Sequence, residues 1–228
     1  MNVKQKISYV LKILTVIAAL GGLLLSFIEA QTEGFSHWSE RLLYFTGQSN
    51  LWLGVLFVVL LFLPYIHSEQ WINRLYIFKY ILTVSISMTG LVFCGLLGPF
   101  GPKSFHLWSF SSFLTHVFSP AFAIADFFVD PQPIPIQRKH IFYALLPAVF
   151  YFTITGIMGT FGVSFGRGQS FPYFFMNYRS PVGFFGFSNQ YPYYMGTFYW
   201  MTFFGFIMTG IALLYARAKK PKHIQKTQ

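Results

Sequence analysis

The chain has 228 residues, with 16 Lys and Arg against 6 Asp and Glu, a net charge of +10; 54% of residues are hydrophobic, 21% aromatic and only 10% charged. A basic soluble nucleic-acid binder carries many more charges, and its basic residues are not confined to short patches between long apolar runs. An ordinary soluble domain is therefore excluded, and an integral membrane protein remains. A lone cysteine, Cys94, rules out an internal disulfide.

A helix needs roughly 17 to 25 apolar residues to cross a bilayer. Runs of that kind occur at 7–28, 42–66, 75–98, 108–129, 141–162 and 194–216. Barrel strands would be only about 10 residues long and would alternate. Lipid offers the backbone no hydrogen bonds, so helices are expected. The predicted fold is all-α: a single polytopic domain, residues 1–228, of six transmembrane helices. The first run has the basic flank of a signal peptide in Lys4, Lys6 and Lys12. It is long, however, and Ile28-Glu29-Ala30 is a poor cleavage site, so an uncleaved first helix is expected.

Orientation follows from the basic residues of the connections. One side collects twelve: Lys4, Lys6, Lys12, Arg74, Lys79, Arg138, Lys139, Arg217, Lys219, Lys220, Lys222 and Lys226. The other collects four: Arg41, Lys103, Arg167 and Arg179. The richer side reads as cytoplasmic, with both termini inside, and the C-terminal basic run reads as an anchor on anionic lipid. Asp130 to Pro135 makes a stiff inner link. The long outer connection, 163–193, holds many aromatics. It fits equally a lid and an aromatic belt in the headgroup layer.

Ionisable groups inside the spans are few. Lys12 lies near a helix end, where it is expected to snorkel. Asp126 and Lys79 lie near inner ends, and Asp126 with Asp130 is expected to share an interfacial face. His116 differs. It lies eight residues past Trp108, about 12 Å below the outer boundary at a helical rise. Ser112 and Ser119 flank it at i−4 and i+3 on one face. Pro120 denies the His116 carbonyl its usual partner, so a kink or a water is expected there.

The second run opens with Arg41, then Tyr44-Phe45-Thr46-Gly47-Gln48-Ser49-Asn50. Thr46, Ser49 and Asn50 share a helical face that must turn into the bundle. Thr46 lies about 7.5 Å along the helix from Arg41, so Thr46 and His116 reach comparable depths in the outer leaflet. A threonine hydroxyl needs an adjacent base to act as a nucleophile, and neutral histidine is the usual one. Gln48, Ser49 or Asn50 would then face a developing oxyanion. The plain alternative is that these polar groups bridge helices.

At these residues the chain resembles the androgen-induced, ADTRP-like family of multi-pass membrane threonine hydrolases and its small bacterial relatives. The resemblance rests on Tyr44-Phe45-Thr46 with the polar run to Asn50, on His116 followed by Pro120, and on Phe171-Pro172-Tyr173-Phe174-Phe175-Met176-Asn177, within about residues 41 to 190. It implies a helical membrane fold, hydrolysis of fatty-acyl esters, Thr46 as nucleophile and His116 as base.

The leading expectation is thus an intramembrane lipid-ester hydrolase whose partners are membrane lipids. Substrate would enter sideways from the outer leaflet, and Arg167 or Arg179 would hold a carboxylate or phosphate. No cofactor, metal or nucleic acid is expected; the six histidines lack ligand spacing. The alternative is a small transporter or lipid-binding protein without chemistry. A lesser one makes Cys94 an acyl acceptor, against the usual inertness of a buried cysteine. Short loops and the absence of a sorting signal suggest a bacterial plasma membrane.

Overall fold

The computed structural model describes residues 2–100, 108–134 and 136–219. Lys103, Pro135, Lys220, Lys222 and Lys226, which enter the charge and linker readings above, lie outside the described residues. The fold is all-α. Among the described residues, five helices are long and apolar enough to cross a membrane: α1 (Val3–Glu29), α3 (Glu69–Leu97), α4 (Phe110–Val129), α5 (Arg138–Thr160) and α6 (Thr197–Ala218). A further apolar helix, α2 (Phe45–Leu61), has 17 residues. It is shorter than the 42–66 run because residues Trp38–Leu43 wind into a 3-10 segment before it and Leu63–Tyr65, with Pro64, into another after it.

Local chemistry sets the helix ends. Asn2 caps α1 by accepting from the Gln5 amide, with Gln5 returning the bond. Ser68 and Ser109 do the same for α3 and α4. Gly162, at φ +75°, follows the last turn of α5 in the left-handed conformation that only glycine adopts without cost. Tyr44, preceding α2, supplies no side-chain cap. The first amides of α2 are therefore left to partners from elsewhere in the fold.

Helix α3 is the hub, packed against α2, α4, α5 and α6, while α1 closes the bundle against α2 and α4. Three π-helical turns interrupt the long helices, at Ile17–Gly21, Phe93–Leu97 and Leu114–Phe118. The last contains His116 and ends just before Pro120. The expected kink is thus a π turn, in which the ladder shifts by one residue where proline cannot donate.

The charged residues at one end of the bundle do not snorkel. Lys12 of α1 pairs with Asp126 of α4 at 3.1 Å and with Asp130 at 2.8 Å. Lys79 of α3 pairs with the same two carboxylates at 2.5 and 2.7 Å. Ser8 and Tyr76 donate to Asp126 and Asp130. Lys79 and Asp126 have no exposed side-chain surface. This corrects the expectation for Lys12 and Asp126: two ammoniums face two carboxylates at short range, so the charges are neutralised inside the bundle instead of reaching headgroups. Burial alone would raise the Asp130 carboxyl, but Lys79 and Lys12 hold it well below the usual carboxylate range.

At the opposite end, Glu33 pairs with Arg41 at 2.9 Å and also with Arg167, which comes from the long connection. The Phe35 ring lies against both guanidiniums, at 4.2 and 4.7 Å. That connection is packed, not loose. Phe165, Phe171, Phe175 and Met176 are buried, and Tyr44 donates to the Phe165 carbonyl.

Candidate functional site

Thr46 occupies the first turn of α2. The turn begins there because the preceding 3-10 segment folds back against it: a Cβ on Gly47 would lie 2.2 Å from the Arg41 carbonyl oxygen. Only glycine allows this approach. His116 comes from the π turn of α4. Thr46 Oγ1 lies 3.2 Å from His116 Nε2, across 70 residues of sequence.

The other ring nitrogen fixes the tautomer. His116 Nδ1 is 3.0 Å from the Ser112 carbonyl oxygen, which can only accept. Nδ1 therefore carries the hydrogen, and Nε2 presents its lone pair to the Thr46 hydroxyl. Phe93 of α3 stacks on the imidazole, with centroids 4.0 Å apart and planes at 23°. The ring is thus held in orientation from one face and one edge. This arrangement can remove a proton from the threonine hydroxyl.

Thr46 and His116 line a mostly apolar cavity of about 300 Å³, together with the hydroxyl-bearing Thr89, Tyr151, Thr153 and Tyr173. Its walls come from α3, α5, α6 and the long connection, with Val92, Phe152, Met201, Met208 and Tyr173 among them. The α5 wall includes Val149 and Thr153, both exposed on the outer face of the bundle. The cavity therefore reaches the outer surface of the bundle beside α5.

The remaining predicted site residues have other partners. Gln48 donates to the Leu42 carbonyl at 2.9 Å. Ser49 meets Thr89 of α3 at 3.1 Å. Asn50 donates to the carbonyls of Thr46 at 2.9 Å and Thr115 at 3.0 Å, tying α2 to α4. Ser112 contributes its carbonyl, not its hydroxyl, to His116. Ser119 is fully buried, and its hydroxyl has no hydrogen-bond partner among the described residues. Arg167 is bound to the Glu33 carboxylate and carbonyl. Arg179 is exposed and donates to the Thr160 carbonyl. Neither arginine is among the residues that line the cavity. Cys94 is exposed on the bundle surface, not buried as the inert-packing expectation had it. Cys94 lies in the C-terminal half of α3, beside Phe93, which is buried and stacks on His116.

Tyr173 is the neighbour that sequence spacing did not single out for chemistry. Its hydroxyl has the Thr46 side chain, the Phe45 and Thr46 amides and Tyr151 as polar neighbours. Nothing local marked it, because it lies 127 residues from Thr46 in a segment crowded with aromatic residues. Among the described residues, no group of three His, Cys, Asp or Glu side chains is placed to hold a metal ion. No family model, curated protein or solved structure matches the chain.

Proposed function

We propose that the protein is an intramembrane lipid-ester hydrolase in which Thr46 is the nucleophile and His116 the general base. The observation that carries this reading is the 3.2 Å approach of Thr46 Oγ1 to the unprotonated nitrogen of His116, in the wall of a mostly apolar cavity. In this account His116 Nε2 takes the hydroxyl proton as Thr46 Oγ attacks the ester carbonyl carbon. The tetrahedral species collapses as the ester C–O bond breaks, and the leaving alkoxide takes the proton back from Nε2. Water then attacks acyl-Thr46 with the same base, releasing a fatty acid and restoring the hydroxyl.

The cavity supports a fatty-acyl substrate. Its walls are mostly apolar, and its opening beside α5 admits a chain from the bilayer without exposing it to water. The resemblance to ADTRP-like hydrolases at Thr46 and His116 supports the same assignment. For topology we propose six spans, α2 being the short one, with both termini on the cytoplasmic side of a bacterial plasma membrane. The clustering of Lys12, Lys79 and Lys219 at one end of the bundle favours it.

The cavity alone also suits a lipid-binding protein without chemistry, and one experiment separates the two. Purified protein in detergent is given a panel of fatty-acyl esters, wild type against Thr46→Ala and His116→Ala. Hydrolysis by the wild type that disappears in Thr46→Ala supports the reading. Equal activity in Thr46→Ala refutes it, and a wild type that binds but cleaves none of the esters leaves the lipid-binding alternative.

A further inference from the structure

The Thr46–His116 pair supplies a nucleophile and a base but no donor for the oxygen on which charge develops. The side chains in the polar run after Thr46 do not fill that role: Gln48, Ser49 and Asn50 are not among the residues that line the cavity, and both Asn50 amide hydrogens go to backbone carbonyls. Tyr173 stands on the other side of Thr46. It is held there by ring contacts with Tyr44, centroids 5.6 Å apart at 90°, and by stacking on Phe175 at 4.9 Å. The 3-10 turn Phe174–Met176 that follows it anchors this part of the connection against α6.

The polarity of the neighbours sets what the hydroxyl can do. The Phe45 and Thr46 amides, left without a side-chain cap at the start of α2, are donors only, and they are neighbours of the Tyr173 oxygen. The Tyr173 hydrogen is then aimed at an acceptor. That acceptor is a ligand oxygen in the cavity that Thr46, His116 and Tyr173 line together. When Thr46 attacks a carbonyl, the new oxyanion lies two bonds beyond Oγ1, on the carbon that Oγ1 has just joined.

We propose that Tyr173, carried by the long outer connection, is the oxyanion donor of this site, with the uncapped amides of α2 polarising its hydroxyl. This rests on the Thr46–His116 reading. Tyr173 donates a hydrogen bond to the carbonyl oxygen and keeps its proton throughout; no atom is transferred to or from it. The connection is therefore part of the catalytic machinery as well as a cover. Burial raises the Tyr173 phenol above its ordinary range, against the pull of Thr46 and the two amides, so the donor stays protonated at neutral pH. Tyr151 of α5, Tyr44 before α2 and His116 of α4 are the titratable groups that face the same space.

The test is Tyr173→Phe, which keeps the ring and its packing. Turnover of an ester that the wild type cleaves should fall about 10²- to 10³-fold in kcat, with KM little changed and the melting temperature preserved. Site-specific 3-fluorotyrosine at 173 covers the case in which Tyr173→Phe fails to fold. It keeps the hydroxyl but makes it more acidic, so the alkaline fall in kcat should move to lower pH. A merely structural role would leave that profile unmoved. If Thr46→Ala is inactive while folded Tyr173→Phe keeps wild-type kcat, or the fluorinated protein an unshifted profile, this assignment falls and the Thr46–His116 reading stands. If Thr46→Ala is active, or the wild type cleaves nothing, both fall.

Discussion

Asn50 donates from one amide to two carbonyls, that of Thr46 in its own helix and that of Thr115 in α4. Thr115 immediately precedes His116, so a single buried side chain fixes the nucleophile-bearing turn against the base-bearing turn. Asn50→Leu, which keeps bulk but removes both bonds, should leave the Thr46 carbonyl with its Ser49 bond but break the tie to the Thr115 carbonyl, at a cost of about 1 to 3 kcal/mol. We expect a lower melting temperature and a larger loss in kcat than in KM. Gln48→Ala, whose bond to Leu42 touches neither Thr46 nor His116, should stay near wild type in turnover.

The buried ion network should govern stability rather than chemistry. Lys79→Met or Asp126→Ala strands the opposite charge and should cost about 3 to 5 kcal/mol. Replacing Lys12, Lys79, Asp126 and Asp130 together by apolar residues of similar size should recover much of that loss. Thermal unfolding in detergent reads both. A quadruple variant much less stable than either single one would contradict the neutralisation argument.

Gly47 offers a sharper geometric test. A methyl group there meets the Arg41 carbonyl at 2.2 Å, and backbone cannot swing aside as a side chain can. Gly47→Ala should displace the start of α2 and depress both melting temperature and turnover. Gly210→Ala in α6, where an added Cβ meets nothing within 4 Å, is the matched control and should be silent or mildly stabilising.

Base catalysis by His116 has a pH signature. The ring acts only when neutral, so turnover should fall as pH drops and Nε2 takes a proton. His116→Ala should lose about 10²- to 10⁴-fold in rate and with it that acid limb. An unchanged pH profile in the variant would assign the base elsewhere.

Cysteine labelling tests the proposed topology. In a Cys94→Ala background, single cysteines at Lys4 and Ser36, on either side of α1, should react with an impermeant thiol reagent from opposite faces of the membrane. Labelling of both from one face would overturn it.

The sequence announced the helices and the depth of the site. Apolar run length places most helix ends within a few residues, and helical rise puts Thr46 and His116 at matching depth. What it hid were the effects that depend on winding and on distant chain. His116 takes the Ser112 carbonyl in place of its hydroxyl, inside a π turn, Leu114–Phe118, that no residue pattern marks. By apolar run length Lys12, Lys79 and Asp126 each lie near the end of a span, so each alone looks within reach of the headgroups. Only the packing of α1, α3 and α4 shows that they meet. Tyr173 reaches Thr46 through a tertiary fold-back that no periodicity encodes.

The most direct test of the account is to find the residue that carries the covalent intermediate. Wild-type protein is reacted with a lipid-like fluorophosphonate, digested and mapped by mass spectrometry. The account predicts an adduct on Thr46 that is absent from Thr46→Ala and slowed in His116→Ala. An adduct on Cys94 or on another hydroxyl, with Thr46 unmodified, would contradict it.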